Sequence, residues 1–566
     1  MTLPQTPAPA ERAFDELVAA EWEWRLTEFP RLATQAGDHR FDDRLERMDA
    51  ASRAARAARW RATRQALQAI GPAQLPAHRQ ADFAVYANQI DTLLGELEHG
   101  GVLMPMDGDQ AFFSYLPDLW REQPLHSSGQ LQAYLGRVGG IARYFDDHIE
   151  LLTEALQRGV VLPAVVMQGR DAPLRQMLAH GDAAATPYFT PFRQRPAGVA
   201  PAEFERLAAH ARDLIGRQVL PAYQRLADFL RDRYAPQARA STGARDLPGG
   251  EAFYAERLRA FTTLPLGAEQ VHEMGRAEVA RILDTLHRLM RECGWTGGWG
   301  GFLQQLRSDP QHYPTSGEEL LARASWIAKR VDGVLPRYFG TLPRQPFGVA
   351  PVPDELAPFY TSGRYVPAPA DGDQAALYWV NTCQLRSRAW YALPALTLHE
   401  AVPGHHLQMA LAAENRNQPA WRRLEALSAH SEGWALYAEF LGTEMGIYQT
   451  PLEEFGRASY EMWRAARLVV DTGLHALGWT RAQAQAFLRE HTALSEHEVT
   501  TEVDRYIGWP GQAVSYKVGE LRFRELRREQ QAQLGPAFDL RRFHDRLLAQ
   551  GCVPLPVLGL ALDDAA

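Results

Sequence analysis

The sequence predicts a mostly α-helical protein in which one small β-sheet interrupts two helical regions. Three observations carry this. Apolar residues recur at helical spacing through most of the 566 residues. A stretch rich in proline and glycine at 343–372 breaks that spacing. A short aromatic and β-branched run follows directly.

Taken in order, the first helix follows a Pro-rich start. Phe14, Leu17, Val18 and Trp22 share one face. Phe83, Tyr86, Ile90, Leu93, Leu94 and Leu97 repeat the pattern. Further stripes run through 130–157, 203–232, 267–292 and 318–339, all expected to be core faces of packed helices. Residues 236–250 are polar and rich in Gly, Ser and Thr, with Pro236 and Pro248. They mark the expected boundary between an N-terminal helical region, 1–240, and a metal-site region, 250–566, within one compact unit. Between 343 and 372 stand Pro343, Pro346, Pro351, Pro353, Pro358, Pro367 and Pro369, with Gly348, Gly363 and Gly372, and helix is excluded there. Leu377–Val380 then reads as a strand. A helix is expected from Pro419, a favoured first helical residue. Ser495 and Glu498 form a capping box for a helix ending near Gly508. Pro510-Gly511 breaks the chain, and a last site helix starts near Gln512.

Composition excludes several functions. Hydrophobic residues make up 46% and charged residues 23%, with a net charge of −8, so neither disorder nor nucleic-acid binding is expected. Lys329 and Lys517 are the only lysines. No run of eighteen apolar residues exists, so no membrane insertion is expected. Cys293, Cys383 and Cys552 lie far apart with no zinc-ribbon spacing. With no signal peptide or lipobox in view, the expected location is cytoplasmic.

The segment Leu393–Gln408 carries the chemistry. Three His-Glu pairs occur, at His272, His399 and His497, but only His399-Glu400 has further histidines nearby, His405 and His406. Zinc hydrolases need two imidazoles, a third ligand and an open position, and a glutamate beside the first histidine can move the water's proton. In H-E-x-x-H the histidines are one helical turn apart. Here Pro403 occupies that fourth position. His406 shares the face of His399 but lies about 10 Å farther along a regular helix, too far to share one ion. The helix must therefore be distorted. Pro403 and Gly404 supply the cause, and a two-residue bulge would bring His405 into ligand position, with His406 as the alternative. The third ligand is expected to be Glu432, on a face otherwise Ala and Leu, with Glu439 behind as an orienting acid. Gly433 permits close helix approach. His430 is expected to be a hydrogen-bonded core residue.

His399-Glu-Ala-Val-Pro-Gly-His-His-Leu-Gln408, Glu432-Gly-Trp-Ala-Leu-Tyr-Ala-Glu439 and Arg505-Tyr-Ile-Gly-Trp-Pro-Gly-Gln-Ala-Val-Ser-Tyr-Lys-Val-Gly519 together resemble the bacterial family catalogued as domain of unknown function 885. The likeness covers most of the chain, including Leu247-Pro248-Gly249-Gly250. That family is similar in outline to the glutamate-ligand zinc metallopeptidases of the thimet-oligopeptidase type. The resemblance implies a metallopeptidase-like fold with a small sheet beside the active-site helix and a cleft between two helical regions. It implies zinc, or another divalent ion, on His399, His405 and Glu432, with Glu400 as general base and then general acid. Tyr516 would stabilise an oxyanion. Arg505 would hold a substrate carboxylate and Gln512 lies beside it; for Arg505, bracing of the helices is the equal alternative. The strand at 377–380, with Asn381, would offer an exposed edge to substrate backbone, and Tyr360, Tyr365, Tyr378 and Trp379 would line the cleft or fill a core.

The expected activity is hydrolysis of amide bonds in short peptides. The alternatives are a metal- or peptide-binding module without catalysis, and a zinc hydrolase of a non-peptide amide or ester. A closed structural zinc site has no use for Glu400. The oligomeric state is not legible in the sequence.

Overall fold

The computed structural model describes residues 9–108, 111–354, 356–357, 360–368 and 375–563. Of the Pro- and Gly-rich stretch, Pro358, Pro369 and Gly372 lie outside the described residues. The chain forms two compact units, Met1–Phe253 with Ile507–Trp509, and Tyr254–Tyr506 with Pro510–Ala566.

The first unit is helical. It contains α1 (Pro9–Glu28), α2 (Ala50–Ile70), α3 (Ala77–Glu98), α4 (Ser128–Gly139), α5 (Ile141–Arg158), α6 (Pro201–Leu214) and α7 (Leu220–Phe229). Phe14 and Val18 of α1 and Phe83, Tyr86, Ile90 and Leu94 of α3 are buried, as their spacing predicts. The stripe at 130–157 is two helices, because Gly139-Gly140 separates α4 from α5. The stripe at 203–232 passes through a π-helical turn at Ile215–Val219, just before Pro221, whose missing amide cannot close an α-helical bond.

The second unit packs α8 (Ala268–Glu292), α9 (Gly317–Asp332), α10 (Leu393–Glu400), α11 (His405–Glu414), α12 (Ser428–Glu444), α13 (Pro451–His475), α14 (Glu496–Gly508) and α15 (Ser515–Leu534). The Ser495–Glu498 capping box forms at the start of α14, with Ser495 N donating to Glu498 Oε2 at 2.8 Å. Glu498 N returns the bond to Ser495 Oγ at 3.3 Å. Pro419 precedes only a short helix, Ala420–Arg423, and α12 begins at Ser428.

The sheet has three strands, β1 (Phe347–Pro351), β2 (Gly363–Val366) and β3 (Ala376–Val380), in the order β1-β3-β2. β3 pairs parallel with β1 and antiparallel with β2, with Tyr365 opposite Tyr378. The run 377–380 is therefore a strand but the middle one. Both its edges are occupied, so it cannot offer the exposed edge expected of it; β2 is the edge strand beside α10. Tyr378 is fully buried, its hydroxyl 3.4 Å from Thr397 Oγ1 of α10, so it fills the core beneath the sheet. Trp379 and Tyr360 pack edge to face at 6.0 Å.

Candidate metal centre

Every residue of α10 is buried. The helix stops at Glu400 and a new one starts at His405, so the expected bulge is instead a full break. Pro403 has no amide to continue the ladder. Ala401 and Gly404 leave helical dihedrals, at φ −96°, ψ −112° and φ −76°, ψ −128°. His406 N reaches back five residues to Ala401 O at 3.0 Å. Gly404 is required here because its Cα lies against the carbonyls of Leu398 and His399, where a β-carbon would overlap both. Trp434 of α12 pins the turn by donating from Nε1 to Pro403 O at 2.8 Å.

The break turns His405 back toward His399, whose ring centroid lies 4.8 Å from its own at 89° between planes. Glu432 meets both: its Oε2 is 3.3 Å from His399 Nε2 and 3.5 Å from His405 Nε2. His399, His405 and Glu432 thus offer three ligand atoms within 4.8 Å of one another. His406 is not among them. Its ring packs 4.7 Å from Phe347 of β1, and its Nδ1 lies 3.4 Å from the Tyr365 hydroxyl of β2. Burial pushes its pKa down.

Glu439, two helical turns after Glu432, lies behind His399. Its Oε1 is 2.8 Å from His399 Nδ1. A carboxylate can only accept, so Nδ1 carries the proton and Nε2 is left to face Glu432. Arg464 of α13 stands 3.7 Å from the same Glu439 oxygen, and Tyr448 donates to the Glu439 carbonyl at 2.8 Å. Burial works against a charged His399, yet the Glu432 and Glu439 carboxylates beside it lift its pKa to about 9. Burial likewise works against a charged Glu432, and the two imidazoles outweigh it, holding the carboxyl well below the usual range.

The donor set fits a divalent ion. Glu432 Oε2 is buried without a hydrogen-bond partner, although two imidazole nitrogens point at it. Ligands about 2.0–2.1 Å from one tetrahedral ion lie about 3.3 Å apart, close to the 3.3 and 3.5 Å between Glu432 Oε2 and the two imidazole nitrogens. Two nitrogens and one oxygen suit zinc, and several other divalent ions as well. The Glu432 side chain keeps 20% of its surface exposed and that of His405 13%, so the group is open on one side.

Glu400 lies beside this group. Its Oε2 accepts the Tyr365 amide of β2 at 2.8 Å, which fixes the carboxylate and leaves Oε1 without a partner among the described residues. Sequence reasoning missed Tyr365 here, since a backbone donor leaves no side-chain signature.

Tyr516 approaches from α15. Gly433 of α12 and Gly519 of α15 meet backbone to backbone, as the close approach at Gly433 predicts. Tyr516 is one turn before Gly519 and Glu432 is next to Gly433, so this crossing carries the phenol toward the carboxylate. Burial, and then the Glu432 carboxylate, push the Tyr516 hydroxyl up; Arg505 and Arg467 oppose them. The Arg467 guanidinium stacks 4.4 Å over the Tyr516 ring. Arg505 donates from Nη2 to Gln512 Oε1 at 2.9 Å, and its Nη1 is 3.6 Å from Glu502. Arg505 and Gln512 are therefore neighbours, as expected, and they engage each other.

Asn381 is elsewhere. Its amide donates to the carbonyls of Ala357, Tyr360 and Thr361 at 2.9–3.0 Å and its Oδ1 accepts from Cys383 N. All of its capacity holds the loop before β2, so the structure gives it a bracing place and not the substrate contact expected. His430 is the buried, hydrogen-bonded residue expected, 3.1 Å from Val553 O. The other two His-Glu pairs stand apart: His272 bonds Thr472 Oγ1 in the core, and His497 sits exposed on α14.

Among solved structures, the chain resembles one described as "the putative lipoprotein from Colwellia psychrerythraea", at 27% identity over 99% of both chains with a TM-score of 0.87. It shares its fold with "a putative lipoprotein of unknown function from Shewanella oneidensis", at 18% identity over 97% of this chain and 100% of that one, TM-score 0.70. A Pyrococcus furiosus carboxypeptidase in apo-Mg form aligns at 11% identity over 90% of this chain and 96% of that one. Its TM-score of 0.37 is too low to equate the folds. No curated protein sequence matches. The expected cytoplasmic location is overturned by the first of these, since its description is that of a lipid-anchored class. No helix among the described residues is long and apolar enough to cross a membrane. The sequence profile of one family matches residues 30–562, nearly the whole chain, and the protein belongs to that family: the bacterial proteins of unknown function, DUF885.

Proposed function

We propose that this protein is a metal-dependent hydrolase, with zinc the favoured ion, that cleaves amide bonds of short peptides. One observation carries the reading. Two imidazole nitrogens converge on a buried carboxylate oxygen that has no hydrogen-bond partner, and a fixed glutamate adjoins them.

His399, His405 and Glu432 would hold the ion, and Glu439 would orient His399. When bound, such an ion supplies Lewis acidity to water or a substrate carbonyl. Glu400 takes the proton of the attacking water on Oε1 and returns it to the leaving amine, while Tyr365 N keeps the carboxylate in place. The Tyr516 hydroxyl donates to the oxygen of the tetrahedral intermediate. Arg467, stacked on its ring, and the Arg505–Gln512 pair confine that phenol. The outer edge of β2, beside Glu400, offers backbone groups to an extended peptide.

The test is a diverse mixture of short peptides, incubated with zinc-loaded protein and read by mass spectrometry, with Glu400→Gln alongside. New products in the wild type that vanish in the variant support the reading. Zinc bound in full with every peptide intact would refute it.

A further inference from the structure

A second feature of the same unit is a cavity at the start of α10. Ser362, Val380, Leu393 and Leu396 form part of its wall. Three arginines also line it, Arg307, Arg386 and Arg388. None has a carboxylate oxygen within 4.0 Å among the described residues. The one acid in the wall, Glu498, spends its Oε2 on Ser495 N and Oγ, both at 2.8 Å, at the start of α14.

The three cations differ in their ties. Arg388 is half-buried and donates to Asn381 O at 3.0 Å and Ser362 Oγ at 3.2 Å. Burial presses its pKa down, and Glu498 opposes this without pairing. Arg307 is exposed and donates to Leu494 O at 2.7 Å. Arg386 is exposed, with Tyr313 as its neighbour at 5.9 Å. A half-buried guanidinium with no carboxylate in contact loses solvation that an anionic ligand would restore.

The cavity is in line with Glu400. α10 and β2 run side by side in the same direction. Leu396 Cδ2 lies 3.3 Å from where a β-carbon on Gly363 would sit, and Glu400 meets the amide of Tyr365. Leu393, Leu396 and Glu400 fall at i, i+3 and i+7, one stripe of the helix. Ser362, in the cavity wall, is three residues before Tyr365, which is about 10 Å of extended strand. A peptide laid along the outer edge of β2 with its scissile bond at Glu400 would place a group two or three residues away in the cavity.

We propose that this cavity binds a carboxylate of the substrate, held by Arg388 with Arg386 and Arg307 at its mouth, and so selects short peptides that carry a negative charge at that distance from the bond cut. The identity of the ligand as a peptide rests on the hydrolase reading above. The carboxylate can be the C-terminus or an acidic side chain, and the test separates them.

The test is calorimetric binding to zinc-loaded Glu400→Gln protein of three probes: acetyl-Ala-Ala-Ala as the free acid, its C-terminal amide, and the amide of acetyl-Ala-Ala-Glu. At least one carboxylate probe should bind about tenfold or more tighter than the neutral amide, the size of one charge-assisted contact. Tighter binding of the free acid assigns the C-terminus, and of the glutamyl amide the side chain. The preference should shrink to about threefold or less in Arg388→Gln and weaken in Arg386→Gln, whose side chain makes no hydrogen bond or ion pair among the described residues. Equal binding of all three probes, or a preference unchanged in both variants, overturns the proposal. If the preference holds while zinc-loaded wild-type protein cuts nothing in the diverse peptide mixture, the hydrolase reading fails and the cavity assignment stands.

Discussion

Gly433 and Gly519 face each other across the crossing of α12 and α15 with no room for a side chain: a β-carbon on Gly433 would lie 2.5 Å from the Gly519 Cα. This contact brings the helix that carries Glu432 against the helix that carries Tyr516. Gly433→Ala should therefore cost about 1–3 kcal/mol by overpacking. It should also weaken zinc binding, because Glu432 moves with its neighbour. Urea denaturation and a zinc titration check both effects. A variant with wild-type midpoint and affinity would show that the crossing tolerates separation.

The two adjacent histidines have different fates. His405 Nε2 faces Glu432, and His406 faces Phe347 and Tyr365. His405→Ala should lose stoichiometric zinc, while His406→Ala should retain it and lose stability through its contact with the sheet. Metal content after dialysis, by atomic emission, decides. Retained zinc in the first variant with loss in the second would reverse the assignment.

Glu439 holds the far nitrogen of His399. Removing such an outer partner typically costs about 10–100-fold in metal affinity. Glu439→Ala should weaken zinc within that range, read by competition with a chromophoric chelator. Unchanged affinity would remove Glu439 from the site.

Acid should destabilise the fold through buried histidines. His544 has Nδ1 2.9 Å from the Tyr338 carbonyl and Nε2 2.9 Å from the Tyr437 hydroxyl. Burial holds its pKa down to about 3, against the weaker upward pull of the bond to Tyr338. His148 and His430 are held near 4 for the same reason. Each folded value lies below the unfolded value of about 6.5, so the unfolded chain binds the proton first. Their contribution is whole above about pH 6.5 and falls below it by up to about 1.4 kcal/mol per pH unit per group. Melting temperatures from pH 8 to 5 should drop more steeply in the wild type than in His544→Gln. Parallel slopes would contradict this.

Much of the site was legible because its signals are local. Apolar spacing located the helices, Ser495 and Glu498 marked the start of α14, and acids seven apart on an Ala and Leu face pointed to Glu432 and Glu439. Pro403 and Gly404 announced a distortion at His399, though spacing alone could not tell a bulge from the break that forms. What stayed hidden depends on residues far apart in sequence. The run 377–380 looks like any short strand, and only its pairing with β1 and β2 makes it central. Asn381 looks like a substrate contact until three loop carbonyls claim its amide. The Tyr365 amide on Glu400 and the unpaired arginines beside α10 arise from backbone positions and missing partners, which no motif records.

The most direct test is anomalous X-ray scattering at the zinc edge from crystals of the zinc-loaded protein. The prediction is one strong peak about 2.0–2.1 Å from His399 Nε2, His405 Nε2 and a Glu432 oxygen, with Glu400 beside it outside bonding distance. No peak among these three residues at saturating zinc, or a peak held by other side chains, would contradict it.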